Sequence, residues 1–156
     1  MYFAVRVLPR VRARAPQFCL NVTGAASHDL APVAGIAPLG FVPNVAPLYA
    51  EAPFAICPIL GKTGQQVKIG EAMAHGVPVI ATRAAAEGSP IRHLENGLVA
   101  ADAQEFAEYM IALWQDRALC RRMGDAARAT ITQNSSRARF LEDLASLLST
   151  PRPHSV

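Results

Sequence analysis

The sequence predicts an α/β domain built on a doubly wound parallel sheet, with helices at its C-terminal end. Short apolar runs of four to six residues, bounded by glycine or proline, alternate with helical segments up to Ala100. From Asp102 onward only helical spacing is found. Strands of this length separated by helices are typical of βαβ units, whose sheets are covered on both faces. The predicted strands are Phe18–Thr23, Ile36–Leu39, Phe54–Cys57, Pro78–Thr82 and Gly97–Ala100.

The predicted helices follow from apolar spacing and from residues that start or stop a helix. In the first, Phe3, Val7, Leu8 and Val11 share one face. Gly76 follows a helix in the position of a C-cap. Asp102 precedes another, with Glu105 three residues on, as in a capping box. The predicted helices are Tyr2–Ala15, Val45–Ala52, Gln66–His75, one beginning after Asp102, Ala118–Gln133 and Ser136–Leu148.

Composition restricts the class of protein. Of the 156 residues, 51% are hydrophobic and 17% are charged, which predicts one packed domain over residues 1–150 and a short tail over 151–156. No apolar run reaches the roughly 20 residues that cross a bilayer, and no signal peptide is recognised, so we expect a cytoplasmic protein. The net charge of +3 is not clustered, which argues against nucleic-acid binding. The three cysteines lie far apart, so neither a disulfide framework nor a metal site is expected.

The loop and helix after the third predicted strand carry the chemistry. In such sheets, ligands bind at the carboxyl ends of the strands. The loop contains Gly61, Thr63, Gly64, Gln65 and Gln66, and its two glycines let backbone N–H groups approach a ligand closely. The N-terminus of the following helix favours an anion.

The helix that follows this loop carries a lysine and a glutamate one turn apart. Only two lysines occur in the chain, Lys62 and Lys68, and both lie in this segment. A lysine in a first helical turn opposes the helix dipole, which an anionic ligand would explain. Glu71 lies at the i+3 position from Lys68. Spacing alone favours an ordinary surface ion pair between them, worth about 0.2–0.5 kcal/mol, over a binding site.

The triplet Gly61–Thr63 superficially suggests a P-loop. That motif requires a glycine five residues before Gly61, where this chain has Ile56. It also requires the helix to begin directly after the Lys-Thr pair, whereas Gly64 intervenes. We therefore reject a P-loop.

Residues 58–82 read PILGKTGQQVKIGEAMAHGVPVIAT. This run resembles the donor-site signature of group 1 (family 4) glycosyltransferases, in which a proline and a Gly-rich loop precede K-x-x-E-A-M-A-x-G-x-P-V-V-A-T. The likeness continues at Glu87-Gly88 and at Glu95–Val99, and upstream at Gly40–Val42 and Leu48-Tyr49. It covers roughly residues 18–148.

The resemblance implies the C-terminal, Rossmann-like half of a GT-B fold, which binds a UDP- or GDP-linked sugar as substrate without a metal or cofactor. Glu71 would hold the ribose hydroxyls, and Lys68 with the amides of residues 64–66 would meet the diphosphate or the sugar. Gly61 and Thr63 belong to the same loop. The backbone at Val42 and Pro43 would face the base, and Glu87 is a candidate because it follows a strand's carboxyl end. Transfer with retention of anomeric configuration is implied.

The chain departs from the family pattern in two ways. Many members carry a further glutamate eight positions before Glu71, where this chain has Thr63. We also expect the N-terminal acceptor domain and the first strand of the C-terminal domain to be absent. The alternatives are therefore a non-catalytic nucleotide-sugar-binding subunit, completed by a separate N-terminal domain or by self-association, or a relic fragment. A sugar-nucleotide epimerase is a third alternative, for which no additional acid/base residues are found.

Overall fold

A computed structural model of the chain describes residues 2–61 and 67–134. Its strands and helices alternate as predicted from the sequence. The strands are β1 (Leu20–Thr23), β2 (Ile36–Gly40), β3 (Ala55–Cys57), β4 (Val79–Thr82) and β5 (Gly97–Ala100). The helices are α1 (Leu8–Arg14), α2 (Ala46–Glu51), α3 (Val67–Ala74), α4 (Arg83–Ala86), α5 (Ala103–Gln115) and α6 (Arg117–Asn134). Short π-helical turns at Phe3–Val7 precede α1, and a 3-10 helix spans Ala25–Asp29.

Most predicted elements are confirmed to within a few residues at each end. The Phe3, Val7, Leu8 and Val11 stripe is buried as expected. Part of the predicted 66–75 helix is observed as α3, and α6 covers the helix predicted at 118–133. The helix predicted at 136–148 and the tail at 151–156 lie outside the described residues. Among the described helices, none is long and apolar enough to cross a membrane.

All strand pairs in the described residues are parallel, but the strands form two sheets. β1 pairs with β2, with Leu20 opposite Ile36, and a bulge shifts the register between Val22 and Thr23. The second sheet has the order β3-β4-β5. The sequence predicted a single sheet. The division arises because β1 and β3 do not pair in the described residues.

Strand β4 is the centre of the packing. All four of its residues are buried. Because side chains alternate along a strand, Ile80 contributes to one hydrophobic cluster while Val79 and Ala81 contribute to the other. The first cluster includes Val7 of the N-terminal helical segment and Phe106 of α5, and the second includes Met73 of α3 and Ala127 of α6. Helices therefore cover both faces of the sheet, as the doubly wound fold requires.

Helix ends follow the predicted caps. Gly76 has φ 74° and its N–H donates to the Met73 carbonyl at 2.9 Å, which ends α3 in the left-handed conformation that glycine tolerates.

The start of α5 is capped by Asp102. Its carboxylate accepts from the N–H groups of Gln104 and Glu105 at 2.8 and 2.9 Å. The Glu105 carboxylate accepts from the Ala101 N–H at 2.6 Å, one residue before the cap position that a capping box uses. This hydrogen bond is the main reason that the pKa of Glu105 is lowered.

We predict that Gly124→Ala destabilises the protein while Gly70→Ala does not. A Cβ at Gly124 would lie 2.1 Å from the carbonyl oxygen of Gly76, so α6 would have to move away from the turn that ends α3. Overpacking of this kind costs about 1–3 kcal/mol. A Cβ at Gly70, in the middle of α3, meets nothing within 4 Å, and alanine there should add roughly 0.5–1 kcal/mol through helix propensity. Urea unfolding measures the free energy of unfolding of both variants. Equal changes in the two variants would contradict the close approach of Gly124 to the Gly76 carbonyl.

Candidate functional site

The candidate site lies at the carboxyl ends of the strands, around the first turns of α3. Lys68 and Glu71 are one turn apart on this helix, and the Lys68 Nζ lies 2.7 Å from Glu71 Oε2. The Lys68 side chain is 77% exposed and that of Glu71 is 30% exposed. The structure thus forms the ion pair that the spacing suggested. The partial burial of the glutamate, however, distinguishes this pair from one formed wholly in solvent.

A tyrosine from another helix completes the cluster. Tyr49 of α2 points its hydroxyl toward Glu71, and the hydroxyl lies 3.5 Å from the same Oε2 atom. This distance is at the long limit for an O–H···O hydrogen bond, so the contact is weak compared with that of Lys68. The Tyr49 ring also stacks on the imidazole of His75, with centroids 4.9 Å apart and planes 18° from parallel. Tyr49 therefore connects α2 to the middle of α3 and to the residue that follows it.

The environment of Tyr49 changes its acidity. Burial raises the pKa of Tyr49 above its ordinary value of 10.0, and the Glu71 charge and hydrogen bond raise it further. The phenol is therefore protonated at neutral pH and can donate a hydrogen bond. Lys68 and Tyr49 both contact Oε2 of Glu71. An ionised carboxylate accepts several hydrogen bonds through its two oxygens, so this group is suited to a ligand that offers hydroxyl donors.

A threonine joins the ends of the two neighbouring strands. Thr82 is the last residue of β4, and its hydroxyl donates to the Ile59 carbonyl in the loop that follows β3. The same hydroxyl oxygen accepts from the Ala85 N–H at 3.2 Å and caps α4. Thr82 therefore fixes the start of the loop that contains Gly61 relative to the chain that leads to Glu87.

The other predicted site residues occupy the same edge of the sheet or lie outside the described residues. Val42 and Pro43 follow the carboxyl end of β2, and Gly61 is an exposed residue after β3. Glu87 is exposed and lies at the C-terminal end of α4, just after β4. The predicted residues Thr63, Gly64, Gln65 and Gln66 fall in the segment that the structure does not describe. Lys68 and Glu71 are in direct contact.

Sequence reasoning missed the roles of Tyr49, His75 and Thr82. Tyr49 entered only through the Leu-Tyr likeness, and His75 only as the last residue of a predicted helix. His75 is exposed, and its imidazole stacks on the Tyr49 ring. Since Tyr49 is 22 residues from Glu71 in the chain, no local spacing could have paired them.

The raised pKa of Tyr49 predicts a pH-dependent change that Glu71 controls. In the folded protein the Tyr49 phenol should ionise above pH 10.0, later than in the unfolded chain. The protonated Tyr49 phenol contributes to the free energy of unfolding. This contribution is present in full below pH 10.0 and is lost as the pH rises through the folded-state pKa. Glu71→Gln removes the negative charge and should lower the Tyr49 pKa, although burial still holds it above the ordinary value.

Absorbance of the tyrosinate, with Tyr49→Phe to assign the transition, measures this change. Burial and the Glu105 hydrogen bond raise the pKa of Tyr109 to about 12, so the difference between the wild type and Tyr49→Phe is needed to assign the Tyr49 transition. Glu95→Gln is the matched control, since Glu95 also forms an i,i+3 ion pair, with Arg92. A Tyr49 transition that is the same in wild type and Glu71→Gln would show that the two side chains do not interact.

Comparison with solved structures finds the same fold in several proteins. HepE (Alr3699) of Anabaena, in complex with UDP, has a TM-score of 0.68 at 18% identity, and the match covers 92% of this chain and 45% of that chain. A mutant of S. aureus TarM, in complex with fondaparinux, α-GlcNAc-glycerol and UDP, has a TM-score of 0.71 at 16% identity, covering 90% of this chain and 31% of that chain. These matches confirm the Rossmann-like α/β fold.

One further structure is itself a single domain. The C-terminal domain of LpcC, a glycosyl transferase group 1 family protein from Francisella tularensis, has a TM-score of 0.58 at 25% identity. The match covers 67% of this chain and 55% of that chain. The present chain spans less than half the length of HepE and TarM. A comparison with curated protein sequences finds no match.

The family comparison covers most of the chain. Residues 1–116 match the family described as "Glycosyl transferases group 1". This range includes every strand of the two sheets, the loop after β3, and the Lys68–Glu71 pair. The chain belongs to the group 1 glycosyltransferases.

Proposed function

We propose that this chain is the donor-binding part of a glycosyltransferase and binds a nucleoside-diphosphate sugar at the carboxyl ends of its strands. The observation that carries the proposal is the Lys68–Glu71–Tyr49 cluster. It places a cation and a half-buried carboxylate side by side on the first turns of α3. HepE and TarM, which share the fold, were each solved with UDP. A nucleoside diphosphate offers hydroxyl groups to a carboxylate and phosphate oxygens to a cation.

Glu71 is the proposed partner of the donor's ribose. An ionised carboxylate only accepts hydrogen bonds, and charge-assisted bonds are about twice as strong as neutral ones. In this proposal the Glu71 carboxylate, held at Oε2 by Lys68 and Tyr49, accepts from a ribose hydroxyl. Tyr49 and His75 would then act as positioning residues, because they support the carboxylate without touching the ligand.

Lys68 is the proposed partner of the diphosphate or of the sugar. Its pairing with Glu71 is a surface ion pair, and such pairs are worth about 0.2–1 kcal/mol. With 77% of its side chain exposed, Lys68 can turn toward an incoming phosphate at little cost. The N-terminal turn of α3 adds a favourable dipole for the same anion. We propose that the glycine-rich loop, with Gly61, Thr63, Gly64, Gln65 and Gln66, surrounds the diphosphate and sugar.

The remaining candidates are assigned by their position at the same edge. Val42 and Pro43, after β2, are proposed to face the base through their backbone, and Glu87, after β4, is proposed to line the site. During transfer, fixed N–H donors and the Lys68 cation would stabilise the departing diphosphate. A metal-free reaction and retention of configuration stay predictions from the family resemblance, and a cytoplasmic location stays a prediction from the sequence pattern.

Donor binding and acceptor binding are proposed to lie on separate domains. The relatives are about twice the length of this chain or more. We propose that residues 1–150 bind the donor and that a separate acceptor-binding domain is required for transfer. The alternatives of a non-catalytic nucleotide-sugar-binding subunit and of a relic fragment are separated by two measurements. The subunit binds a nucleotide sugar but does not transfer it, and the relic does not bind.

We predict a base-selective stabilisation of the protein by UDP- or GDP-linked ligands. At about one hundred times its dissociation constant, a ligand stabilises the folded state by roughly 2.7 kcal/mol. Thermal unfolding is measured with UDP, GDP, ADP and their sugar conjugates. Glu71→Ala should abolish most of the shift, because the ribose hydroxyls lose their acceptor.

Glu95→Ala is the matched control for this titration. Glu95 forms an exposed i,i+3 pair with Arg92, at 3.8 Å, and precedes the amino end of β5. This position is at the opposite edge of the sheet from the proposed site, so the control should bind as the wild type does. If Glu71→Ala retains the full shift, or if a folded wild-type sample shows none, the nucleotide site proposed here is wrong.

A further inference from the structure

The turn that leaves β2 is held mainly at its two ends. Gly40 is the last residue of the strand, and residues 41–43 lead toward α2, which begins at Ala46. In the described part of the chain, no hydrogen bond joins residues 41–43 to another element. Phe41 is 72% exposed, so packing contributes little at that residue. The position of residues 41–43 is therefore set at Gly40 and at α2.

Gly40 is hydrogen-bonded to the segment after β1 through both of its backbone groups. Its N–H donates to the Ser27 hydroxyl oxygen at 2.9 Å, and its carbonyl accepts from the Gly24 N–H at 2.8 Å. The Ser27 hydroxyl in turn donates to the Gly24 carbonyl at 2.7 Å. These three hydrogen bonds form a closed ring between the carboxyl ends of β1 and β2. We call this ring of Gly24, Ser27 and Gly40 the Ser27 latch.

The Ser27 hydroxyl is buried and uses both of its hydrogen-bonding functions. Ser27 is 4% exposed, and its hydroxyl donates to one backbone group and accepts from another. The Gly40 N–H is buried with it. Removing the hydroxyl would leave this N–H without its partner, which a buried backbone donor tolerates poorly. Ser27 therefore fixes the orientation of the Gly40 peptide.

Gly40 has a conformation that a residue with a side chain would not adopt here. Its φ is 68°, in the left-handed region that favours glycine. A Cβ at this position would collide with the imidazole of His28, the neighbour of Ser27. The chain thus leaves β2 in one fixed direction. It continues into α2, whose Tyr49 hydroxyl lies 3.5 Å from Glu71 Oε2.

We infer that Ser27 is a positioning residue for the base of the nucleotide, acting through Gly40 on the backbone of Val42 and Pro43. The inference rests on the proposed function, in which that backbone faces the base. Recognition of a base by backbone groups depends on hydrogen-bond geometry, which weakens steeply when the donor or acceptor is misaligned. None of the three hydrogen bonds of the latch involves Lys68 or Glu71, which lie on α3. Ser27 therefore controls the contribution of the base and not that of the ribose and diphosphate.

Ligands with and without a base separate this role from a general loss of structure. Isothermal titration calorimetry measures the Kd of UDP, GDP and ribose 5-diphosphate for the full chain. For Ser27→Ala, we expect the affinity for the preferred nucleotide to fall by at least about tenfold, the equivalent of about one lost hydrogen bond. The affinity for ribose 5-diphosphate should stay within about twofold of the wild type, as expected for a site on α3 that the latch does not contact. The preference between UDP and GDP should narrow as well.

Two further variants test whether the hydroxyl and Gly40 act as one unit. Ser27→Thr keeps the hydroxyl and should retain the wild-type preference for one base. Gly40→Ala disrupts the latch from the other side, because its Cβ meets His28. The double variant Ser27→Ala/Gly40→Ala should bind the nucleotide no more weakly than the weaker of the two single variants, since both break the same ring.

Thr132→Ala is the matched control. The Thr132 hydroxyl also donates to a backbone carbonyl, that of Arg128 at 3.0 Å, but on the exposed surface of α6. This variant should bind all three ligands as the wild type does. Amide hydrogen exchange without ligand should be faster at Gly40 in Ser27→Ala than in the wild type, which verifies that the latch is open.

The possible failures of this inference differ from a failure of the proposed function. Equal loss of affinity for the nucleotide and for ribose 5-diphosphate in Ser27→Ala, or no loss for either, would overturn the inference alone. So would additive effects of Ser27→Ala and Gly40→Ala, or a Ser27→Thr variant that behaves as Ser27→Ala does. If the folded wild type binds ribose 5-diphosphate and both nucleotides equally, no base is recognised and the inference is wrong. If it binds none of the three, the proposed function fails and this inference fails with it.

Discussion

The burial of β4 on both faces is the constraint from which the rest of the structure follows. Val79, Ile80 and Ala81 send side chains alternately into two hydrophobic clusters. Each cluster needs its own layer of helices, so α5 and the N-terminal helices cover one face while α3 and α6 cover the other. With both faces covered, the carboxyl ends of the strands are the expected place for a ligand. The position of the candidate site is thus a consequence of the hydrophobic core.

The site itself contributes little to folding. Lys68 and Glu71 form a surface pair whose expected worth is a fraction of a kcal/mol, and the Tyr49 contact is long. By contrast, the close approach of Gly124 to the Gly76 carbonyl fixes the end of α3 against α6. The backbone that carries the site is therefore rigidly placed, while its charged side chains can exchange partners at low cost. This combination suits a group that must turn from an internal partner to a ligand.

Local signals in the sequence predicted most of the elements and the two central site residues. Apolar runs ending at glycine or proline located the strands, Gly76 and Asp102 marked helix ends, and the i,i+3 spacing paired Lys68 with Glu71. Tyr49 could not be placed because its approach to Glu71 depends on how α2 packs beside α3. The separation of β1 from β3 was not visible in residue patterns either, since pairing is decided by neighbours distant in the chain. Thr82 looked like the end of a strand, and only the fold brings its hydroxyl to Ile59.

The central claim is that the carboxyl ends of the strands bind a nucleoside diphosphate. The most direct test is an NMR titration of the full chain with UDP and GDP, following backbone amide shifts residue by residue. We predict that the amides of Val42, Tyr49, Gly61, Lys68 and Glu71 move in a saturable manner with one of the two nucleotides. Those at the amino edge of the sheet, such as Glu95 and Gly97, should stay in place. Shifts confined to the amino edge, or none at saturating nucleotide on the folded chain, would contradict the claim.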